Sequence, residues 1–161
     1  MEIREATRAE LPAIKDIYNH YVRTSTCIYQ EEPFTLEEIE EWHAGHDPAH
    51  PVTVAVEGSE VVGWGALSWF RQRWGYRFTV EDSVYVRPEL HRRGIGRALL
   101  TDLILRARSL GHKTIIAGVS ADQEVSILAH RRLGFEPIAV LKDVGFKFDR
   151  WLDLAFLQLR L

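Results

Sequence analysis

The sequence predicts an α/β domain in which antiparallel strands come early and a βαβ crossover comes late. Three observations predict it. Val52–Val56, Val61–Trp69 and Phe78–Val86 are strands by composition, the first two joined by a GluGlySer turn at Glu57–Ser59. Two helical patterns precede this block. After it, strand-like and helix-like stretches alternate to the end of the chain.

Taken in order, Glu2–Ala6 alternates like a short strand. Thr7 then opens a helix through a capping box with Glu10, and Leu11, Ile14, Ile17, Tyr18 and Tyr21 follow at helical spacing. Thr35 and Glu38 form a second capping box, opening a short acidic helix through Trp42. The connector between these helices, Ser25–Gln30, is apolar and aromatic, which suits a loop that covers something. After the three strands, Gly94–Leu110 forms the clearest helix, with Ile95, Leu99, Leu103 and Ala107 on one face and Gly111 as its stop. Thr114–Val119 reads as a short buried strand and Gln123–Leu133 as a helix ended by Gly134. Phe135–Leu141 and Trp151–Leu159 complete the pattern as strands.

The chain has 161 residues, 46% of them hydrophobic, which suits one globular domain spanning residues 1–161 with a full core. Twenty basic against 23 acidic residues leave a formal charge of −3, so nothing in the balance points to nucleic acid. A single cysteine, Cys27, excludes an internal disulfide and a multi-cysteine zinc site and fits a reducing compartment. The charged start, MEIREATRAEL, is no signal peptide, and no apolar run reaches membrane-spanning length. The expectation is a soluble, cytoplasmic protein without membrane partners.

The most specific local feature is HRRGIGRALL, His91–Leu100, running out of a strand into a helix. Such a turn leaves unpaired backbone N–H groups at a helix N-terminus. Gly94 and Gly96 remove side chains that would hold a phosphate away, and Arg92, Arg93 and Arg97 add positive charge. A tight strand-to-helix turn is the competing reading of a lone Gly-x-Gly. A P-loop requires Gly-Lys-Ser/Thr at the helix start, and a dinucleotide fold requires a third glycine after the first strand; neither is present.

At this point the sequence resembles the GNAT superfamily of N-acetyltransferases, whose acyl-CoA pyrophosphate motif is Arg/Gln-x-x-Gly-x-Gly/Ala. It is most similar to the phosphinothricin and methionine sulfoximine acetyltransferase branch. IYNHYV (Ile17–Val22), YQEEP (Tyr29–Pro33), TVEDSVYV (Thr79–Val86), AHRRLGF (Ala129–Phe135) and VGFKFDRWLDL (Val144–Leu154) carry the resemblance, which covers nearly the whole chain. It implies a GNAT fold, a mixed sheet of about six to seven strands flanked by about four helices. It also implies acetyl-CoA as co-substrate, no metal, and a homodimer, with which the apolar closing strands carrying Trp151 and Phe156 are compatible. Two positions depart from the pattern: His91 stands at the first motif position, and Gln123 stands where asparagine is frequent.

Acetyl transfer from a thioester to an amine needs a base for the ammonium, donors for an oxyanion and a proton for the thiolate. Strand alternation puts Glu81 on a face with Arg77, Thr79, Ser83 and Tyr85, shortly before the glycine turn; by itself that also describes a solvated glutamate. The resemblance implies that Glu81 is the base. His130 matches the branch's histidine, where many relatives have a tyrosine as general acid to the CoA thiolate, and an imidazole could protonate a thiolate or take a proton from the amine. Which of Glu81 and His130 is the base stays open. The resemblance further implies cofactor contacts from Val84, Tyr85 and Val86, whose strand supplies a backbone oxyanion donor. The same holds for His91, Arg92, Arg93, Gly94, Ile95, Gly96, Arg97 and Gln123.

For the acceptor, Arg71, Arg73 and Tyr76 lie between two strands, and an arginine holds a carboxylate through a bidentate pair. Tyr29, Arg73 and Tyr76 match positions of the branch's substrate site, and Lys147 and Trp151 lie in another matching stretch. His43, His46, His50 and Asp47 have ligand chemistry, but Gly45 and Pro48 break the helix that would align them, so they read as a solvated helix end. The expected activity is acetylation of the α-amine of a small amino acid or analogue of the phosphinothricin, methionine sulfoximine or methionine sulfone type. The alternatives are acetylation of a protein N-terminus or lysine, and a CoA-binding module without turnover.

Overall fold

The computed structural model describes the whole chain, Met1–Leu161. Strand β1 (Glu2–Glu5) leads into the first capping box. That box closes a single 3-10 turn, Arg8–Glu10, and α1 (Leu11–Thr24) starts only after it. Pro12 occupies the first turn of α1, where a missing N–H costs nothing. The second box caps α2 (Leu36–Ala44) directly. Strands β2 (Val52–Glu57) and β3 (Glu60–Trp69) form a hairpin turned by Gly58, and β4 (Thr79–Val86) returns beside β3. Then come α3 (Ile95–Ser109), β5 (Thr114–Ser120), α4 (Glu124–Arg132), β6 (Glu136–Lys147) and β7 (Arg150–Arg160).

All strands join one mixed sheet in the order β1-β2-β3-β4-β5-β7-β6. Only the β4/β5 pair is parallel, and α3 makes the crossover between them. The crossover therefore sits at the middle of the sheet, where two antiparallel sections meet.

Each face of the sheet has its own core. Leu11, Ile14 and Ile17 of α1 and Ile39 of α2 pack on Val52, Val54, Trp64 and Ala66. On the other face Leu100, Leu103 and Ala107 of α3 pack on Val80, Ile115 and Leu157. Alternation along β4 thus turns Glu81, Ser83 and Tyr85 toward α1 and α2, and Val80, Asp82 and Val84 toward α3.

The strand expected over Phe135–Leu141 is longer, reaching Lys147. Its pairing with β7 slips at Pro137/Ala139 and again at Leu141/Gly145, and Asp143 takes a positive φ of 53°. Bulges leave residues unpaired and break the two-residue alternation, so the pattern that marks Phe135–Leu141 as a strand is lost at LysAspValGly although the strand continues through it.

Candidate active site

Strands β4 and β5 pair only at Thr79–Thr114, Val80–Ile115 and Glu81–Ile116. Past Glu81 they separate, although β4 continues to Val86 and β5 to Ser120. The amide of Arg87 donates to Val62 on β3, so by alternation the amides of Val84 and Val86 face the gap. Backbone donors at a sheet's interior opening are rare, because buried N–H groups are normally paired.

Glu81 stands at the apex of this gap. Burial pushes its carboxyl above the ordinary value, the neighbouring Asp82 charge adds to this, and Arg71 opposes it. Arg71 is therefore close enough to be felt by Glu81, while its guanidinium lies over the Phe70 ring at 4.7 Å. Across the gap, Gly118 of β5 leaves room for the carboxylate: a Cβ there would stand 2.9 Å from Glu81 Oε1. Nothing in the sequence pattern singles out Gly118, which reads as an ordinary glycine inside a strand.

His130 is on the opposite face. It is buried, and its Nε2 lies 3.0 Å from Oδ2 of Asp82, itself buried. Nδ1 lies 2.7 Å from the carbonyl oxygen of Ser126, which only accepts, so Nδ1 carries a proton. With a carboxylate at the other nitrogen, both ring nitrogens donate and the ring is an imidazolium. Burial pulls its pKa down, but the Asp82 hydrogen bond and charge, with the Ser126 carbonyl, outweigh this and raise it. The second oxygen of Asp82, Oδ1, is buried and accepts nothing within the chain. The structure thus separates Glu81 and His130 by the thickness of the sheet and joins His130 to Asp82, a residue that Glu81 overshadows in the sequence.

The glycine turn is built as the pattern implies. Gly94 caps α3 in the left-handed region, φ 83° and ψ 0°, and Arg92 is also left-handed at φ 63°. The first bond of the helix runs from Ala98 to Gly94, and no backbone amide from Arg92 to Arg97 donates to any group of the protein. A Cβ on Gly96 would meet Val86 Cγ2 at an ordinary 3.5 Å, so packing within the chain does not require glycine there. Ile95 is buried under the turn, whereas Arg92, Arg93 and Arg97 are exposed; Arg93 pairs with Glu57 at 3.2 Å. His91 faces α1. Tyr21 donates its hydroxyl proton to the Val86 carbonyl, so His91 Nε2–H donates to the Tyr21 oxygen at 2.6 Å.

The loop Ser25–Gln30 is tied down from several sides. Lys147, fully buried, donates to the carbonyls of Ser25 and Ile28, each at 2.7 Å. Burial pushes its ammonium below the ordinary value, against the pull of Cys27 and Glu31. Thr26 donates to Asp122 at 2.7 Å and accepts from Gln123 at 3.0 Å. Gln123 is thus engaged with this loop. Tyr29 lays its ring on Gly145 and donates to the Asp153 carbonyl at 2.8 Å, joining the loop to β6 and β7. Arg73 and Tyr76 are exposed on the β3–β4 connection, with Tyr76 edge-on to Phe70.

The histidines after α2 are not a solvated helix end. His50 is 1% exposed, bonds Asp47 at 2.8 Å and stacks on Trp69 at 4.2 Å, because the chain turns inward there to enter β2. His46 contacts the Trp42 carbonyl and the Ser68 hydroxyl.

On the Glu81 face a cavity of about 180 Å³ opens beside the sheet. Tyr18, Phe34, Trp42, Trp64 and Tyr85 make its aromatic wall with Ile39, and Ser68 and Ser83 add hydroxyls. Ser68 is the cross-strand partner of Glu81, and Ser83 follows it on the same face. The sequence signal for this cavity is faint, since aromatic residues at core spacing look like core.

Comparison with known proteins agrees with this construction. The acetyltransferase (GNAT) family model matches residues 14–135. The chain is 39% identical over its full length to the L-methionine sulfoximine/L-methionine sulfone acetyltransferase of Salmonella typhimurium, covering 95% of that protein. A ribosomal-protein-alanine N-acetyltransferase structure from Brucella melitensis superposes with a TM-score of 0.97 at 42% identity, each chain covered completely. The phosphinothricin acetyltransferase of Sinorhizobium meliloti, solved in complex with acetyl-CoA, gives 0.95 at 39% identity, covering 99% of this chain and 88% of that one. A parallel pair splayed at mid-sheet, a bare helix N-terminus beyond it and these relatives place the chain in the GNAT family of acetyltransferases.

Proposed function

We propose that the protein transfers the acetyl group of acetyl-CoA directly to the α-amine of a small amino acid or analogue, of the phosphinothricin, methionine sulfoximine or methionine sulfone type. The observation that carries this reading is a carboxyl held above its usual pKa, Glu81, at the apex of a gap whose far end opens on unpaired helix amides. The names of the relatives support the acceptor class.

Acetyl-CoA supplies the activated acyl group as a thioester. The free amides of Arg92 to Arg97, with the arginine side chains, hold a pyrophosphate, and Gly96 keeps its approach clear. Backbone N–H groups of Val84 and Val86 grip the amide-bearing arm and offer a donor where negative charge develops on the carbonyl oxygen. Tyr85 closes the acceptor side. His91 and Gln123 flank the cofactor while bracing Tyr21 and Thr26. Glu81 removes the ammonium proton, and its raised pKa suits a base working near neutrality. The freed amine attacks the thioester carbonyl, the C–S bond breaks, and the second proton lost by the amine nitrogen passes to the departing thiolate, leaving free CoA thiol. His130, with both N–H groups engaged, keeps a positive charge at the gap, and proton exchange with the amine belongs to Glu81. Arg71 and Arg73 receive the acceptor's carboxylate, and Tyr29 and Tyr76 border it.

The test is a panel of amino acids, sulfoximines and sulfones with acetyl-CoA, followed by release of free thiol. Turnover of amino acids is the expected result. Turnover confined to a peptide beginning with alanine would support the reading suggested by the Brucella relative, and tight CoA binding with no turnover a CoA-binding module. No helix is long and apolar enough to cross a membrane. The single free cysteine, Cys27, suits a reducing compartment, and on that ground we assign the protein to the cytoplasm. The exposed apolar residues Val140, Val144 and Phe146 of the edge strand β6 and Trp151 of the adjoining β7 suit a homodimer. Phe146→Asp with Trp151→Asp should halve the mass seen by sedimentation.

A further inference from the structure

Acetylation of an ammonium group sends one proton to the medium, because the nitrogen loses two and the CoA thiol keeps one. That proton first sits on Glu81. Once acetyl-CoA fills the gap and an acceptor covers this face, Glu81 is cut off from bulk water. Arg71, the cation it feels, only donates, and Asp82 points to the opposite face, toward His130.

One route leads across the sheet to β3. Ser68 is the direct partner of Glu81 in the β3–β4 ladder, so the two side chains share a face with Cβ atoms about 5 Å apart. A glutamate carboxyl spans that distance directly or through one water. Ser68 Oγ lies 3.3 Å from Nε2 of His46. Nδ1 of that ring lies 2.9 Å from the Trp42 carbonyl oxygen, which only accepts, so Nδ1 carries the proton of the neutral ring. Nε2 is then a bare lone pair, and Ser68 donates to it. Beyond His46 is solvent, since the half-buried ring stands between exposed Gly45 and Asp47.

We propose that Ser68 and His46 form a proton relay that carries the proton taken up by Glu81 out of the closed site. The proposal rests on the acetyltransferase reading with Glu81 as base and deepens it. Glu81 passes its proton to Ser68 Oγ as the Ser68 hydroxyl proton moves to His46 Nε2. The imidazolium then loses a proton to water, and all three groups return to their starting forms. No other reactant is consumed.

The surroundings of His46 suit this task. Burial holds its pKa below the ordinary imidazole value, so the ring is neutral near pH 7 and able to accept. Its passing charge is favoured by the carbonyl in the last turn of α2, where a helix attracts positive charge. His43 and His50 oppose that charge and Asp47 favours it, while Ser68 and the Trp42 ring at 4.6 Å are neutral.

The experiment measures kcat with acetyl-CoA and the fastest acceptor of the amino-acid panel, in dilute buffer and with added imidazole. The proteins are the wild type, His46→Gln, His46→Ala, Ser68→Ala, the double variant Ser68→Ala/His46→Gln and Glu81→Gln. Glutamine can keep both hydrogen bonds of the ring but takes up no proton at neutral pH. His46→Gln should lower kcat by about 10- to 100-fold with both KM values unchanged, up to the lower end of a positioned proton carrier's worth. Imidazole should restore kcat in His46→Ala in proportion to its concentration and leave the wild type unchanged; a packing defect would not respond. If His46→Ala does not fold, the double variant decides, and it should lose no more than either single variant. Wild-type kcat in the His46 and Ser68 variants overturns the relay, as does a loss that imidazole leaves untouched or fully additive losses. In those cases a Glu81→Gln variant without activity leaves Glu81 as the base. Full activity in Glu81→Gln overturns both.

Discussion

Nε2 of His130 lies 3.0 Å from Oδ2 of Asp82, and the two side chains are 9% and 2% exposed. They join α4 to β4 across 48 positions of sequence, immediately beyond the apex where β4 leaves β5. An ion pair this well buried gains little over apolar packing while intact, but breaking one side of it is costly.

Asp82→Ala should therefore destabilise the protein by about 3 kcal/mol in urea unfolding. The sign of its pH dependence follows from His130, whose folded pKa is raised. Its stabilisation is fully present below the unfolded value of about 6.5 and is lost as pH rises through the folded value. Without Asp82, burial prevails and the charged ring becomes a cost at low pH. The stability gap between wild type and variant should widen from pH 8 to pH 6; a gap that narrows would contradict the imidazolium assignment.

Glu81→Gln should lower kcat/KM by about 10²- to 10⁴-fold, the usual worth of a general base, with acetyl-CoA affinity retained. Burial raises the Glu81 pKa, and a base works deprotonated. Activity should thus be full at high pH and be lost as pH falls through a value above that of an ordinary glutamate. Arg71 opposes that shift, so Arg71→Ala should move the acidic limb of the profile to higher pH.

Gly118→Ala separates position from stability. The added methyl would meet Glu81 Oε1 at 2.9 Å, and a carboxylate at the end of a flexible side chain moves aside cheaply. Stability should stay within about 0.5 kcal/mol of wild type, as for most exposed sites. Displacing the base by about an ångström should nevertheless cost about 10- to 100-fold in kcat. Unchanged kcat would remove Glu81 from the reaction.

Gly96→Ala probes the helix N-terminus. Ordinary contact with Val86 and better helix propensity predict unchanged or slightly higher stability, by up to about 1 kcal/mol. A methyl over the free amides should raise KM for acetyl-CoA at least about tenfold, the cost of about one charge-assisted hydrogen bond. The binding effect without a folding effect is the signature of a cradle kept open for a ligand.

Much of this was legible in one dimension because its causes are local. A capping box spans four residues, so Thr35 with Glu38 announces α2, and Gly94, Gly111 and Gly134 mark turns because a positive φ is a property of the residue itself. The period of two along β4 correctly set Glu81, Ser83 and Tyr85 against Val80 and Val84. Local pattern was less reliable where pairing slips, and β6 ran past its expected end because bulges spoil alternation without ending a strand.

Other relationships depend on what faces what after folding. Periodicity gives Glu81 a face, but only the packing of α4 puts His130 behind the sheet and turns it to Asp82. Only the limited pairing of β4 with β5 opens the gap and brings Gly118 opposite Glu81. Lys147 lies in a stretch that matches the family, but only the fold buries it under two carbonyls of the Tyr29 loop. Sequence by itself determined the order of elements and the residues able to bind phosphate and move protons, since propensity and chemistry reside in single side chains and short spacings. Tertiary structure alone decided which of them meet, because burial and electrostatics depend on neighbours that are distant along the chain.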